Sequence, residues 1–357
     1  MKKICKLKVH RMCMSTERPI VTVVTVTFNL IENGRVEAFR QCVESVHSQD
    51  YPNIEHLVVD GASTDGTLEM IREYEEKGWL VCRSEPDAGI YDAMNKGIKM
   101  ARGKYVAFLN SDDFWHDTKG VSLSVRELES TGATLSYADR NVIALDGSLK
   151  WVDVANVGLF ACQMPFCHQT VFTRRDALLR YDGFNLKEYK SAADYELIMR
   201  MILNGEPMVF VPCNFTSFRY GGFSVSGEEL SQQECAKIKQ ALLPWCSVEQ
   251  LNAGFMTADL MRYILSRVHS SVAAHVVQSY FHVKPDLYRL ITGSVSYDPE
   301  GNCWGRFSLP VSPITSVVKL FGVITLLKVK YKPSSTNVYF LGIPLAKIRK
   351  RGDRNFM

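Results

Sequence analysis

The run IVTVVTVTF, Ile20 to Phe28, decides the fold. It is β-branched along its length and bounded by Asn29, and a segment apolar on both faces reads as a strand buried inside a parallel sheet. Downstream, Ala38, Phe39, Cys42, Val43 and Val46 recur at helical spacing between Glu37 and His47, and Asp50-Tyr51-Pro52-Asn53 supplies a turn. The unit then repeats. IEHLVVD (Ile54 to Asp60) predicts a second strand, and Thr67 to Lys77 a helix with Asp65 and Thr67 as N-terminal caps. WLVCRSE predicts a third strand, Gly89 to Arg102 a helix, and KYVAFLN (Lys104 to Asn110) a fourth strand. Strands alternating with helices predict an α/β fold: a doubly wound, mostly parallel sheet flanked by helices.

With 357 residues the chain exceeds the usual single-domain size. The expected division is a leader over 1–18, the α/β domain over 19–227, and a mainly helical region over 228–357. Segments such as ECAKIKQALLPW and TADLMRYILSRVHSSVAAHVVQSYF carry the helical expectation. The net charge of +4, from 42 basic and 38 acidic residues, is too small an excess for a nucleic-acid partner. Ten cysteines without CxxC spacing fit free thiols in a reducing cytoplasm. MKKICKLKVHRMCM has no uninterrupted apolar core, so a secretory signal is not expected. No stretch approaches the roughly 20 apolar residues of a membrane span. ITSVVKLFGVITLLKVKYK, Ile314 to Lys332, reads as a surface-lying or packed helix. The closing VYFLGIPLAKIRKRGDR suits peripheral contact with an anionic membrane surface, or equally a packed terminal element with a solvated basic end.

In an open α/β sheet, ligands bind beyond the carboxyl ends of the strands, which is where Asp60 and the Asp112-Asp113 pair stand. A carboxylate at Asp60 can accept the imide hydrogen of uracil or the amide hydrogen of guanine. It also fits a turn residue in a Gly-Ala-Ser-Thr loop. Asp112 and Asp113 offer hard oxygen ligands to a divalent cation, or form a solvated turn before Phe114-Trp115.

VVDGASTDGT (Val58 to Thr67), EPDAGIYDAMNKGI (Glu85 to Ile98) and FLNSDD (Phe108 to Asp113), in that order, resemble family 2 glycosyltransferases of the GT-A fold. The likeness covers about residues 19 to 220. It implies inverting transfer of a single sugar from a nucleoside diphosphate sugar, UDP-sugars favoured, assisted by Mn²⁺ or Mg²⁺. The implied acceptor is a hydroxyl of a glycan or lipid-linked glycan in bacterial surface-polysaccharide synthesis. The implied place of work is the cytoplasm, at the inner face of the membrane if the acceptor is lipid-linked.

The resemblance also implies roles for residues. Asp60 holds the base, and Thr25, Thr27 and Asn29 at the end of the first strand join it as donor-binding candidates. Asp87, Gly89, Asp92 and Asn95 line the donor pocket. Of Asp112 and Asp113, one takes the metal and the other the ribose or sugar side, while Asn110 stands where many relatives carry aspartate. SAADYELIMRM (Ser191 to Met201) resembles the family's Glu-Asp-x-x-Leu segment, with Ala193 in place of glutamate. Asp194 then matches the base that an inverting transfer needs opposite the leaving group. Taken alone, Asp194 also fits a helix cap, and Glu196 is the alternative base. His168 and Gln169 are acceptor-side candidates. The Gln-x-x-Arg-Trp motif and multiple spans of processive relatives are missing, which favours a single transfer. The rival readings are a nucleotidyltransferase making nucleotide sugars and a non-catalytic, membrane-docked subunit.

Overall fold

The computed structural model describes residues 19–221, 228–244 and 246, and three C-terminal strands at 327–332, 335–340 and 343–349. The opening run forms β1 (Val21–Thr27), buried at every position, followed by α1 (Val36–His47), β2 (Ile54–Asp60), α2 (Thr67–Glu76), β3 (Val81–Ser84), α3 (Ile90–Met100) and β4 (Tyr105–Phe108). β1 pairs in parallel with β2 and with β4, and β2 in parallel with β3. The strand ends bearing Thr27 and Asp60 therefore lie side by side, Thr27 in register with Asp60. The N-cap of α2 is Gly66, not the Asp65 or Thr67 expected, because the chain enters the helix through a left-handed residue; Asp65 Oδ1 accepts from the backbone and hydroxyl of Thr67, the first helical residue.

Beyond β4 the sheet changes direction. β5 (Phe114–Trp115) and α4 (Gly120–Thr131) lead to β6 (Leu135–Tyr137), β7 (Arg140–Ile143) and β8 (Leu149–Asp153). β9 (Phe172–Arg174) then enters antiparallel between β4 and β6, followed by α5 (Arg175–Arg180), α6 (Ala193–Leu203), β10 (Met208–Phe210), β11 (Thr216–Arg219) and α7 (Glu228–Leu242). The main sheet has seven strands in the order β10-β6-β9-β4-β1-β2-β3, and a second sheet has four in the order β5-β11-β7-β8. Sandwiched between α3 and α6 is the largest core, where Met94, Ile98 and Phe108 meet Leu197, Ile198 and Met201. α3 lies close against β1 because Gly97 has no side chain there: a Cβ would stand 2.5 Å from Val24 Cγ1. That close approach fixes the head of α3 beside the strand ends.

The C-terminal region is helical at α7, but the last described segments are β12 (Leu327–Lys332), β13 (Ser335–Phe340) and β14 (Ile343–Arg349), a three-stranded antiparallel sheet. This corrects the helix expected to run to Lys332. LKVKYK alternates apolar and basic residues with the period of a strand, a signal masked by the apolar residues before it. The helices expected between 257 and 281 lie outside the described residues. Among those described, no helix is long and apolar enough to cross a membrane.

Candidate active site

A cavity of about 780 Å³ opens beyond the carboxyl ends of β1, β2 and β4, roofed by α3 and α6 and closed on its far side by the four-stranded sheet. Of the residues singled out by sequence, Thr27, Asp87, Gly89, Asp112, His168 and Asp194 line it. The others lie behind this surface. Thr25 is fully buried, its hydroxyl 3.0 Å from His56 Nε2, because its position in β1 faces packed helices instead of the strand end. Asn95 is tied to both backbone groups of Phe184, and Asp92 accepts from Ala88 N–H and pairs with Lys96. Glu196 forms a 2.7 Å pair with Arg200 one turn along α6.

Asp60 does not face the cavity either. Its carboxylate is wholly buried and accepts four hydrogen bonds, from Thr27 Oγ1 (3.0 Å), Ser63 Oγ (2.5 Å), Ser63 N (2.9 Å) and Ser84 Oγ (2.8 Å). A carboxylate has about four acceptor positions, so none remains for a base. Asp60 instead gathers three chain segments behind the loop that starts at Gly61. Asn29 does the same from the other side: its N–H donates to Ser63 Oγ and its side-chain oxygen accepts from Thr64 N–H. Its φ of 44° is one that asparagine tolerates better than most residues. The acceptor that reaches the cavity at this point is Asp87. A Cβ on Gly61 would fall 2.7 Å from Asp87 Oδ2, so this carboxylate fills the space left by the missing side chain. Asp87 Oδ1 is held by Gly89 N–H at 2.9 Å, leaving Oδ2 towards Gly61.

The neighbouring aspartates divide at a turn, which the Asp113 N–H closes onto the Asn110 carbonyl at 3.1 Å. Asp113 turns inward and is buried, with Oδ2 accepting from Gln169 Nε2 (2.5 Å) and Oδ1 from Arg219 N–H (2.6 Å). Burial and the adjacent Asp112 charge push its carboxyl up from the ordinary range. Gln169 is thus spent on Asp113 and is fully buried. Asp112 turns outward, its Oδ2 3.6 Å from Arg35 Nη1, and lines the cavity together with Asn110. The Asn110 side-chain oxygen is buried without a partner. These oxygens suit a hard divalent cation that takes its remaining ligands from a diphosphate and water. Among the described residues no cluster of three or more histidine, cysteine or acidic side chains could hold a metal unaided.

Asp194 sits in the first turn of α6. Just before the helix, Glu234 of α7 accepts from the N–H groups of Lys190, Ser191 and Ala192 at 2.8, 2.8 and 2.9 Å and so fixes the segment that leads into Asp194. Asp194 lines the cavity. Oδ2 lies 3.1 Å from His168 Nδ1, and Oδ1 accepts from the Tyr91 hydroxyl at 2.9 Å and from Tyr195 N–H. Burial pushes this carboxyl up, but the hydrogen bond and charge of His168, with the Tyr91 and Tyr195 donors, outweigh it and hold it below the usual carboxylate range. The group is an ionised acceptor at neutral pH.

Sequence reasoning gave no role to Arg35, Tyr91, Arg140, Trp151 or Arg219. Arg219 donates to the Asp112 carbonyl and to Gln41, tying β11 to the aspartate pair. No motif marks Arg140, Trp151 or Arg219. They are brought to the cavity by the pairing of β7 with β8 and with β11, the latter across about 75 residues of chain. Glu234 was equally invisible, since its partners lie on another helix's entry loop.

The description Glycosyl transferase family 2 matches residues 22–182. A glycosyltransferase of Mycobacterium tuberculosis is 31% identical over 212 residues, covering 58% of this chain and 78% of that protein. The teichuronic acid biosynthesis glycosyltransferase TuaG of Bacillus subtilis is 31% identical over 137 residues, 38% of this chain and 52% of its own. Among solved structures, the mannosyltransferase PcManGT of Pyrobaculum calidifontis, in complex with GDP-Man and Mn²⁺, shares the fold with a TM-score of 0.51 at 20% identity, over 78% of this chain and 80% of that one. With three motifs in order, a GT-A sheet and a cavity at its strand ends, this chain belongs to the family 2 glycosyltransferases.

Proposed function

We propose that the protein transfers one sugar, with inversion, from a nucleoside diphosphate sugar to a hydroxyl of a glycan or lipid-linked glycan. UDP-sugars are the favoured donors, and bacterial surface-polysaccharide synthesis is the setting, in keeping with the name of TuaG. The observation that carries this reading is Asp194: an ionised carboxylate in the cavity wall, oriented by His168 and Tyr91 and carried on an entry segment that Glu234 holds. An inverting transfer needs one such group, which takes the acceptor hydroxyl's proton while that oxygen attacks the anomeric carbon from the side opposite the departing diphosphate. His168 holds the carboxylate in place through Nδ1, and Tyr91 fixes its other oxygen.

On the donor side, Asp87 supplies the free acceptor that Asp60 lacks, beside Gly61, Thr27 and the exposed ring of Phe28, for the base or the sugar hydroxyls. Asp60 and Asn29 act behind them by fixing the loop. Asp112 and the Asn110 oxygen would hold Mn²⁺ or Mg²⁺, which when bound neutralises charge developing on the diphosphate. Arg35, beside Asp112, adds a cation for the same phosphates.

The test is calorimetric titration of the intact chain with UDP- and GDP-sugars, with and without Mn²⁺, followed by donor-hydrolysis and transfer assays. One donor should bind in a metal-dependent way and be turned over. Binding of no donor in the panel, or turnover insensitive to chelation, would sink the reading.

A further inference from the structure

The wall of the cavity opposite the strand ends is one face of the four-stranded sheet. Register defines it: β7 and β8 pair Arg140 with Asp153 and Val142 with Trp151, and β7 and β11 pair Val142 with Phe218. Side chains two apart share a face, so Arg140, Val142, Trp151, Asp153, Phe218 and Tyr220 stand together, and all six line the cavity.

Two of them are large, aromatic and open. Trp151 is 44% exposed and Tyr220 is 42%, in an edge-to-face pair with ring centroids 5.6 Å apart. Lys150 Nζ lies 5.0 Å from the Tyr220 ring centre. Beside the rings, Arg140 donates through Nε to Asp153 Oδ2 at 3.0 Å and stacks 4.4 Å over Phe218. Both guanidinium contacts fall on Oδ2, which leaves Asp153 Oδ1 to another partner. A long, flexible lysine side chain, that of Lys150, lies over both rings, and an exposed aromatic patch continuous with a polar pair marks a binding surface.

Resting on the transferase reading above, we propose that Trp151 and Tyr220 form a subsite for a pyranose ring of the acceptor. A pyranose has a face of C–H groups and a rim of hydroxyls. The aromatic rings match the face, and Asp153, Arg140 and Lys150 match the rim, the combination of apolar lining and few polar groups that fixes orientation. The same cavity holds Asp194, so a ring docked here shares one enclosed space with the base. A lipid surface is the weaker match. The most exposed apolar residues of this hairpin, Leu145 and Leu149, lie outside the cavity lining, while the aromatic pair lies within it beside an ion pair.

The test is saturation-transfer NMR on the intact chain with methyl β-D-glucopyranoside, methyl β-D-galactopyranoside and methyl α-D-mannopyranoside as probes. At least one should receive saturation at its ring C–H protons. Trp151→Ala and Tyr220→Ala should each weaken that binding at least about fivefold. Trp151→Phe should keep most of it, and saturation of the uracil protons of UDP should be unchanged in all three variants. Both side chains are exposed, so an unchanged Tm is expected and confirms that each variant is folded. No transfer to any pyranoside in the wild type, or an undiminished signal in Trp151→Ala, would overturn the proposal. So would loss of binding to phosphatidylglycerol vesicles with pyranoside binding intact, which would assign the patch to a membrane. Failure of the wild type to bind any UDP- or GDP-sugar would count against the donor reading instead, and is scored separately from the pyranoside result.

Discussion

Along the seven-stranded sheet, the polar atoms nearest the cavity are mostly already engaged: Asp60 by four donors, Asp113 by Gln169 and the Arg219 amide, Asn29 by the loop it holds. Across the cavity, the four-stranded sheet presents the partly exposed rings of Trp151 and Tyr220 and a carboxylate oxygen of Asp153 without a partner on the guanidinium side. The first wall is built to hold a backbone shape. The second offers surface. The difference teaches that a motif-rich segment is not the same thing as a contact-rich one: several motif residues act by satisfying one another, and outward members such as Asp87, Asn110, Asp112 and Asp194 are left to meet a ligand.

Substitutions can break that contrast. The largest effect is expected at Asp194→Asn, where transfer should fall on the order of 10²- to 10⁴-fold while donor affinity by calorimetry is retained. A matching loss of donor affinity would move Asp194 to the donor side. Asp112→Asn should come next, lowering metal-dependent donor hydrolysis on the order of 10²-fold with little change in Tm, because its pair with Arg35 is long, at 3.6 Å. Asp60→Asn should do the reverse. An amide places N–H groups among four donors, so stability should drop by about 1 to 3 kcal/mol and Tm by several degrees. A stable Asp60→Asn variant that had lost only base discrimination would return Asp60 to the ligand side.

A smaller effect sharpens the picture of the base. Tyr91→Phe removes a donor to the ionised form of Asp194, so the Asp194 pKa should rise and the acid limb of kcat/KM should move to higher pH, with the neutral plateau less affected. An unmoved limb would mean that another group sets it. The smallest change is expected at Glu196→Gln: Glu196 faces Arg200 and not the cavity, so kcat/KM should stay within about twofold of wild type.

How much of this was legible in the sequence follows from the range of each signal. The sheet from β1 to β4 was readable because each strand announces itself locally, through β-branched runs and the turns between them. Asp194 was readable through its segment, and the support of that segment was not, because Glu234, which holds the amides just before α6, stands about 40 residues on, in a different helix. Which of two adjacent aspartates faces outward depends on the Arg219 amide, about a hundred residues away. The aromatic wall depends on register between β7, β8 and β11, and strand pairing across such distances leaves no mark in the spacing of residues. Lys332 marks the opposite failure, where a local strand signal was overruled by the apolar residues preceding it.

Gly61 carries one more consequence. Its missing side chain and the Asp87 carboxylate occupy the same volume, so the two positions cannot be chosen independently. A relative that places a side chain at the position of Gly61 must shorten or redirect residue 87, and one that keeps aspartate at 87 in this orientation must keep glycine at 61. The pair should therefore covary across the family, and a single substitution at Gly61 should be rescued by a second one at Asp87, two changes that are each harmful alone and compatible together.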